Sequence, residues 1–230
     1  MTRVAISQSN YIPWRGYFDL IRQVDFFVLF DNVQFTRRDW RNRNKVINTN
    51  GQLIWLTIPV KTKGKFLSPI NQIETIDHIW RKNHLNTIQN SYRHTPHFKQ
   101  MSQFFEELYL EGNDKNLSLI NRKFIEKICW FLEIDTQIVT SLAYPDQATA
   151  TEKLLLECER FNANTYLSGP SASSYLDTTK FNNVGIDVEW MSYDGYPTYD
   201  QNTENFENFV SVVDLLFNQG RDSRQFLLNR

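Results

Sequence analysis

The amino-acid sequence predicts an α/β fold in which a mostly parallel β-sheet is flanked by helices. Short unbroken apolar runs at residues 4–6 and 26–30 are typical of strands that are covered on both faces. Helical patterns alternate with such runs in the first and last thirds of the chain, whereas residues 78–132 carry helical spacing throughout. We therefore expect a single domain over residues 1–230 with a helical insertion at 78–132.

The N-terminal third predicts three strands. Residues 4–6 form the first strand. Pro13 starts the next helix, because a first helical turn does not need the amide hydrogen that proline lacks. Residues 26–30 form the second strand. The third strand, residues 53–58, follows an Asn-Gly turn and precedes a polar, basic loop at residues 61–68.

The rest of the chain predicts a helical region and then a return to alternating strands and helices. Aromatic and aliphatic residues recur at three- to four-residue spacing over residues 78–132, which indicates three helices. Further along, we expect strands at residues 138–139, 165–167 and 184–190, and helices at 152–161 and 205–217.

The charge of the chain is nearly balanced overall but unevenly distributed. The net charge is −1, yet residues 1–100 carry 15 Lys and Arg against 6 Asp and Glu, whereas residues 101–230 carry 10 against 20. A basic N-terminal half is suited to phosphates or carboxylates. The near-neutral total argues against a general nucleic-acid-binding protein.

Several classes of protein are disfavoured by what the chain lacks. We expect no signal peptide and no membrane span, since polar residues interrupt the apolar start and no run of about 18 apolar residues occurs. Cys129 and Cys158 lie in apolar helical patterns, which indicates buried free thiols and a cytoplasmic protein. The histidines lack metal-ligand spacing, so no metal site is predicted, and the sequence assigns no cofactor.

The first candidate site is the turn after the first predicted strand, residues 8–17, with the sequence QSNYIPWRGY. In open α/β sheets, ligands bind at the carboxyl ends of strands, and the amides at a helix N-terminus favour anions. The alternative is structural: Asn10 caps a helix and the aromatic rings pack.

The second candidate site, residues 31–45, follows the second predicted strand and interleaves arginines with aromatic and amide side chains. Guanidinium groups grip phosphate or carboxylate through paired hydrogen bonds, and a ring stacks on a flat group. This composition favours a nucleotide or sugar-nucleotide ligand. It also fits single-stranded nucleic acid, or a solvated loop with Trp40 packed inward. Because residues 8–17 and 31–45 leave successive strands at their carboxyl ends, we expect them to form one surface.

The third candidate site lies in residues 166–177, where a strand end is followed by small hydroxyl residues and a glycine. Backbone amides around Ser168 and Gly169 are suited to an anion, and a helix-capping loop fits the same residues equally well. Neither GxGxxG nor GxxxxGK[ST] occurs, so the sequence supports neither a dinucleotide fingerprint nor a P-loop.

Four motifs resemble those of the WbqC-like protein family: QSNYIPWRGYFDLI, DNVQFTRRDWRNRN, YLSG with SSYLD, and the closing YDQ with SVVDLLFNQG. The resemblance runs nearly from end to end. One departure is Ser9, which stands where we expect proline. By motif position, the signature residues would be Gln8, Asn10, Tyr11, Trp14, Tyr17, Asp31, Gln34, Arg38, Trp40, Asn42, Arg43 and Asn44.

The resemblance implies a transferase of bacterial surface-polysaccharide (O-antigen) biosynthesis that transfers glycine, another amino acid or an acyl group to a sugar as an amide. The expected partners are a nucleotide-linked sugar or another anionic small molecule, and an aminoacyl or acyl donor. Asp31 is predicted to be a general base, with Gln34 and Tyr17 as further catalytic residues. The predicted substrate-binding residues are Gln8, Asn10, Tyr11, Trp14, Arg37, Arg38, Trp40, Arg41, Asn42, Arg43, Asn44, Ser168 and Gly169.

A weaker similarity concerns the nucleotidylyltransferases, in which HxGH stands where this chain has Trp14 to Tyr17. It implies a Rossmann-like, nucleotidylyltransferase-like fold, while the missing histidines argue against nucleotidylyl transfer. Two other functions remain open: a nucleic-acid-binding module that presents a charged tRNA, and a non-catalytic partner of a glycan-modifying enzyme. The sequence does not assign an oligomeric state.

Overall fold

The computed structural model describes residues 1–65, 67–145 and 147–228. A five-stranded parallel sheet forms its centre, with the strand order β5-β2-β1-β6-β7. The strands of this sheet are β1 (Arg3–Ser7), β2 (Phe26–Leu29), β5 (Gln137–Thr140), β6 (Thr165–Ser168) and β7 (Asp187–Trp190), and a separate ribbon contains β3 (Arg43–Ile47) and β4 (Leu53–Thr57). The predicted α/β fold with a parallel sheet is therefore confirmed.

The order of the strands is Rossmann-like. The chain adds β2 and β5 on one side of β1 and then returns to the other side to add β6 and β7. The sheet is thus extended in opposite directions from β1 and β6, and in open α/β sheets ligands bind beyond the carboxyl ends of the strands at such a point. The turn after β1 lies at the carboxyl end of β1.

Helices cover both faces of the sheet. They are α1 (Arg15–Arg22), α2 (Ile79–Tyr92), α3 (Phe98–Leu110), α4 (Leu117–Phe131), α5 (Ala150–Arg160), α6 (Thr178–Asn182) and α7 (Val212–Gln219), with short 3₁₀ helices at residues 70–72, 170–174 and 220–226. The three helices predicted within residues 78–132 are confirmed as α2, α3 and α4.

Alternate residues of the strands face two separate cores. Ala5, Phe27 and Leu29 pack into the larger core, to which α1 to α4 and α7 contribute. Val4 and Val28 face a smaller core beneath α5 and α6. Because both faces are buried, the strands are apolar without alternation, as the sequence indicated.

The third predicted strand is confirmed as β4, which lies outside the main sheet, because it pairs antiparallel with β3 and leaves alternate residues exposed, Trp55 among them. One element prediction needs correction. The final helix begins at Val212 rather than residue 205, since the hydroxyl of Ser211 accepts a hydrogen bond from the amide of Val213 and caps the helix there. The segment before it is held in an irregular path by Arg15, which donates to the carbonyl of Pro197 at 2.7 Å.

Candidate functional site

A small slot opens where the turn after β1 meets the β3–β4 ribbon. Its volume is about 240 Å³. Three aromatic rings and two amides dominate this aromatic slot, which is lined by Asn10, Pro13, Trp14, Trp40, Asn44 and Phe209. The two N-terminal motifs therefore share one opening, since the first supplies Trp14 and the second supplies Trp40.

Asn44 holds the turn after β1 in place. Its side chain is buried, and Nδ2 donates to the carbonyl oxygens of Tyr11 at 3.2 Å and Ile12 at 2.9 Å. The amide of Tyr11 donates to the carbonyl of Trp40 at 3.0 Å, and the Ser211 hydroxyl donates to the carbonyl of Ile12 at 2.7 Å. These bonds fix a turn in which Ile12 has a positive φ of 36°, an uncommon conformation for a β-branched residue.

Trp14 is fixed by the rings around it and by a glycine. Its ring centroid lies 5.0 Å from that of Tyr193 and 5.2 Å from that of Phe209. The indole also lies across Gly16, where an added Cβ would stand 2.3 Å from the Trp14 Cζ2 atom. Glycine is therefore required beneath this indole.

Asn10 is oriented by Arg41. Nη1 of Arg41 donates to Oδ1 of Asn10 and, at 3.4 Å, to the carbonyl of Gln8. A carboxylate oxygen of Asp39 lies 3.7 Å from Nε of Arg41. Within the described ranges, Nδ2 of Asn10 has no protein hydrogen-bond partner, so its two hydrogens are available as donors at the slot.

Asp31 lies in a buried polar cluster behind the turn. Its carboxylate accepts hydrogen bonds from the Ser9 amide at 2.7 Å and from the Ser118 hydroxyl. Nδ2 of Asn121 donates to the Ser9 hydroxyl at 3.1 Å and to the carbonyl of Arg41 at 2.8 Å. This cluster attaches both motifs to α4. The assignment of Asp31 as a general base stays a prediction.

Tyr17 is also enclosed. Its hydroxyl donates to the carbonyl of Gln8 at 3.0 Å. Burial, and secondarily the negative charge of Asp31, raises the pKa of Tyr17 well above its ordinary value, so the phenol is neutral at physiological pH. Gln34, the third predicted catalytic residue, is exposed and pairs with Pro69 through a backbone bridge.

Tyr11 faces the core rather than the slot. Its ring has no exposed surface, and its hydroxyl hydrogen-bonds Nδ1 of His84 at 2.9 Å and the hydroxyl of Tyr109. Burial lowers the pKa of His84 to about 4, which keeps this imidazole neutral. Tyr11 thus anchors the turn, and its predicted contact with substrate has no geometric support.

The arginine-rich stretch divides into exposed and buried residues. Arg37 and Arg38 are exposed, and Arg37 donates to the carbonyl of Thr62 at 3.2 Å. Asn42 is buried and donates to the carbonyl of Ile58 at 2.9 Å, so it supports the ribbon. Residues 43–45 belong to strand β3 and not to a loop.

Ser168 and Gly169 do not line the slot, and Tyr193 lies between Gly169 and the slot residue Trp14. Ser168 is buried at the end of β6, where its carbonyl accepts from the Met191 amide at 2.8 Å. A Cβ added at Gly169 would lie 3.8 Å from the hydroxyl of Tyr193, whose ring packs on Trp14. The β6 loop therefore borders the ring cluster without lining the slot.

Comparison with known proteins identifies the family of this chain. The model of the WbqC-like protein family matches residues 8–226. The chain belongs to the WbqC-like protein family. It is 43% identical over 227 residues to the uncharacterized protein Rv1507c of Mycobacterium tuberculosis, a match that covers 99% of this chain and 98% of the relative. No solved structure matches.

The site of this WbqC-like protein also contains residues that the sequence interpretation missed. Phe209 lines the slot, and Tyr193 and Tyr196 pack on Trp14 with ring centroids 5.0 and 6.0 Å away. A signal was present, because residues 193–209 contain five aromatic residues: Tyr193, Tyr196, Tyr199, Phe206 and Phe209. Ser118 and Asn121 gave no such signal, since both lie within an ordinary amphipathic helix.

No helix in residues 1–65, 67–145 and 147–228 of this WbqC-like protein has the length and apolarity that a membrane crossing requires. Within the same ranges, no group of three or more His, Cys, Asp and Glu side chains is arranged to hold a metal ion.

Proposed function

We propose that this WbqC-like protein is a transferase acting on a nucleotide-linked sugar in bacterial surface-polysaccharide (O-antigen) biosynthesis. The reaction we favour is amide formation, with transfer of an amino acid such as glycine, or of another acyl group, to an amino group of the sugar. One observation carries the proposal: both N-terminal motifs contribute side chains to a single aromatic slot, and the second motif also carries exposed arginines.

The chemistry of the aromatic slot suits a sugar ring. Indole rings such as Trp14 and Trp40 offer flat apolar surfaces to the C–H groups of a pyranose, and the free amide hydrogens of Asn10 suit its hydroxyl groups. The exposed guanidinium groups of Arg37 and Arg38 suit phosphate oxygens. A nucleotide-linked sugar combines these features in one molecule.

The proposed reaction makes one bond and breaks another. The sugar amine attacks the acyl carbon of an activated donor, a C–N bond forms, and the bond to the donor's leaving group breaks with its electron pair. The amine loses one proton to a base, for which Asp31 remains our candidate. Its carboxylate is buried and hydrogen-bonded, so this role requires the substrate amine or a water to reach it past Ser9.

Binding and turnover are tested with matched tryptophan variants. Calorimetric titration with a panel of nucleotide-linked amino sugars should show binding to the wild type, and Trp14→Ala should weaken it. Trp130→Ala is the control, since Trp130 is 69% exposed on α4 and does not line the slot. Incubation with the bound sugar, ATP, and glycine or acyl donors should then give a product heavier by the acyl group in mass spectrometry. Binding without a product for any donor would contradict the enzymatic part of the proposal.

A nucleic-acid-binding function is the second candidate, because Trp40 and Trp55 are 39% and 44% exposed next to arginines. Base stacking on exposed rings with phosphate contacts is typical of single-strand binding. Binding to tRNA that falls steeply with salt and persists in excess nucleotide-linked sugar would favour this function over the first. Binding to neither ligand would favour a non-catalytic partner.

We place the protein in the cytoplasm, as the sequence predicted. Cys129 and Cys158 are buried free thiols, a state that agrees with a reducing compartment.

A further inference from the structure

The aromatic slot is too small for a whole nucleotide-linked sugar. Its volume is about 240 Å³. Pockets that enclose a drug-sized ligand measure roughly 300–1,000 Å³, and a nucleotide-linked sugar is at least that large. The slot therefore suits one ring with its substituents, and the remainder of such a ligand has to lie on the surface beside the slot.

One side of the slot continues into exposed aromatic and basic groups. Trp40 lines the slot and also lies against Trp55, with ring centroids 5.6 Å apart and an interplanar angle of 31°. The guanidinium carbon of Arg43 stands 4.1 Å from the centroid of Trp55. We call Trp40, Trp55 and Arg43 the tryptophan face. Arg38 is exposed and precedes Trp40 by two residues in the chain. Tryptophan side chains are highly buried on average, so two neighbouring indoles that are both exposed indicate a binding surface.

Acidic residues lie at the hairpin end of the same ribbon. Asp200, Glu204 and Glu207 border a second cavity there together with Leu53. The carboxylate of Glu207 lies 3.9 Å from Nζ of Lys45, the residue that pairs with Trp55 in the ribbon. Phosphates are therefore disfavoured at the hairpin end of the ribbon and favoured at the guanidinium group of Arg43.

We infer that the sugar ring occupies the aromatic slot while the nucleoside diphosphate lies over the tryptophan face, with its base against the exposed indoles and its phosphates directed to Arg38 and Arg43. This inference rests on the proposed function and deepens it. It assigns two subsites that meet at Trp40, the residue that borders both.

The assignment predicts different effects for the two subsites in calorimetric titration with UDP, GDP, dTDP and CDP and with the corresponding nucleotide-linked sugars. Trp55→Ala should weaken binding of the nucleoside diphosphate itself by about 5- to 150-fold, the range for loss of one base-stacking partner. Trp55→Phe should restore most of the affinity, because the phenyl ring still stacks. Arg43→Ala should weaken the same ligand and reduce the salt dependence of its binding.

Trp14→Ala is the discriminating variant. It should leave the affinity for the nucleoside diphosphate within about twofold and remove the additional affinity that the attached sugar confers. Trp130→Ala is the control for an exposed tryptophan, and thermal unfolding of every variant verifies the fold. Because Trp55 is 44% exposed and lies outside both cores, its replacement should leave the protein folded at the temperature of the titration.

The outcomes separate the inference from the proposed function. If nucleotide-linked sugars bind and Trp14→Ala abolishes nucleoside diphosphate binding while Trp55→Ala does not, the subsites are assigned the wrong way round. If nucleotide-linked sugars bind and neither Trp14→Ala nor Trp55→Ala changes their affinity, the ligand lies elsewhere and the inference fails. If no nucleotide and no nucleotide-linked sugar binds the wild type, the proposed function fails and the inference fails with it.

Discussion

Replacing Gly16 with alanine should destabilise the protein, although Gly16 lies in a helix and alanine usually favours helices over glycine. Gly16 is the second residue of α1, where alanine would ordinarily be the better helix former by about 0.5–1 kcal/mol. Here the added Cβ would stand 2.3, 2.5 and 2.7 Å from three ring carbons of Trp14. Contacts this short force the indole to move.

The indole has little room to move, so the clash should outweigh the gain in helix propensity. Tyr193, Tyr196 and Phe209 surround the Trp14 ring at centroid distances of 5.0, 6.0 and 5.2 Å. Overpacking of this kind costs about 1–3 kcal/mol. The net loss in unfolding free energy for Gly16→Ala is therefore at most about 2.5 kcal/mol, and each kcal/mol lowers the melting temperature by about 2–4 °C.

A double-mutant cycle measures the clash directly. Urea unfolding of the wild type, Gly16→Ala, Trp14→Ala and the double variant gives four free energies. In the Trp14→Ala background the same methyl group meets no indole, so Gly16→Ala should become neutral or stabilising by up to about 1 kcal/mol. An equal effect of Gly16→Ala in both backgrounds would refute the claim that Gly16 is required by Trp14.

Three further predictions concern buried polar groups. Asn44→Ala should lower the unfolding free energy by about 1–3 kcal/mol in urea, since two carbonyls of the β1–α1 turn lose their donor; an unchanged midpoint would contradict this. The pKa of His84 is lowered by burial to about 4 from an ordinary value of 6.5, so the neutral form is favoured in the folded state, and wild-type stability should fall as pH drops from about 6.5 towards 4. His84→Gln should remove that loss in thermal unfolding, whereas exposed His94→Gln should keep it. The pKa of Asp214 is raised by burial to about 6 from 3.8, so this group should lower stability as pH rises from about 4 to 6. Relative to wild type, Asp214→Asn should therefore gain stability across that interval, by at most about 1.4 kcal/mol per pH unit, and exposed Asp135→Asn should not.

Much of the fold could be predicted because local sequence patterns directly reflect how each element is buried. The runs that became β1 and β2 are continuously apolar, since helices cover both faces of the parallel sheet. The region 78–132 has helical spacing because one side of each of its helices enters the larger core. The strand predicted at residues 53–58 is present as β4, but the sequence did not show that it lies outside the main sheet. An apolar run looks alike whether its outer face is covered or exposed, as Trp55 is.

The site was predicted only in part. That residues 8–17 and 31–45 converge follows from topology, because parallel neighbours end at the same edge of the sheet, and Trp14 and Trp40 do line one slot. The orientation of single side chains was not predictable. Tyr11 and Asp31 turn into the interior, where α2, α3 and α4 supply their hydrogen-bond partners.

The sequence by itself determined the fold class, the family and the edge of the sheet where the two motifs meet, because strand burial and motif order are local properties of the chain. The tertiary structure alone decided which of those residues face an opening. Phe209 completes the slot from a segment nearly 200 residues beyond Asn10, and Arg15 holds that segment through Asn208. The exposure of a side chain depends on which distant segments of the chain pack against it, and a local sequence pattern does not predict those contacts.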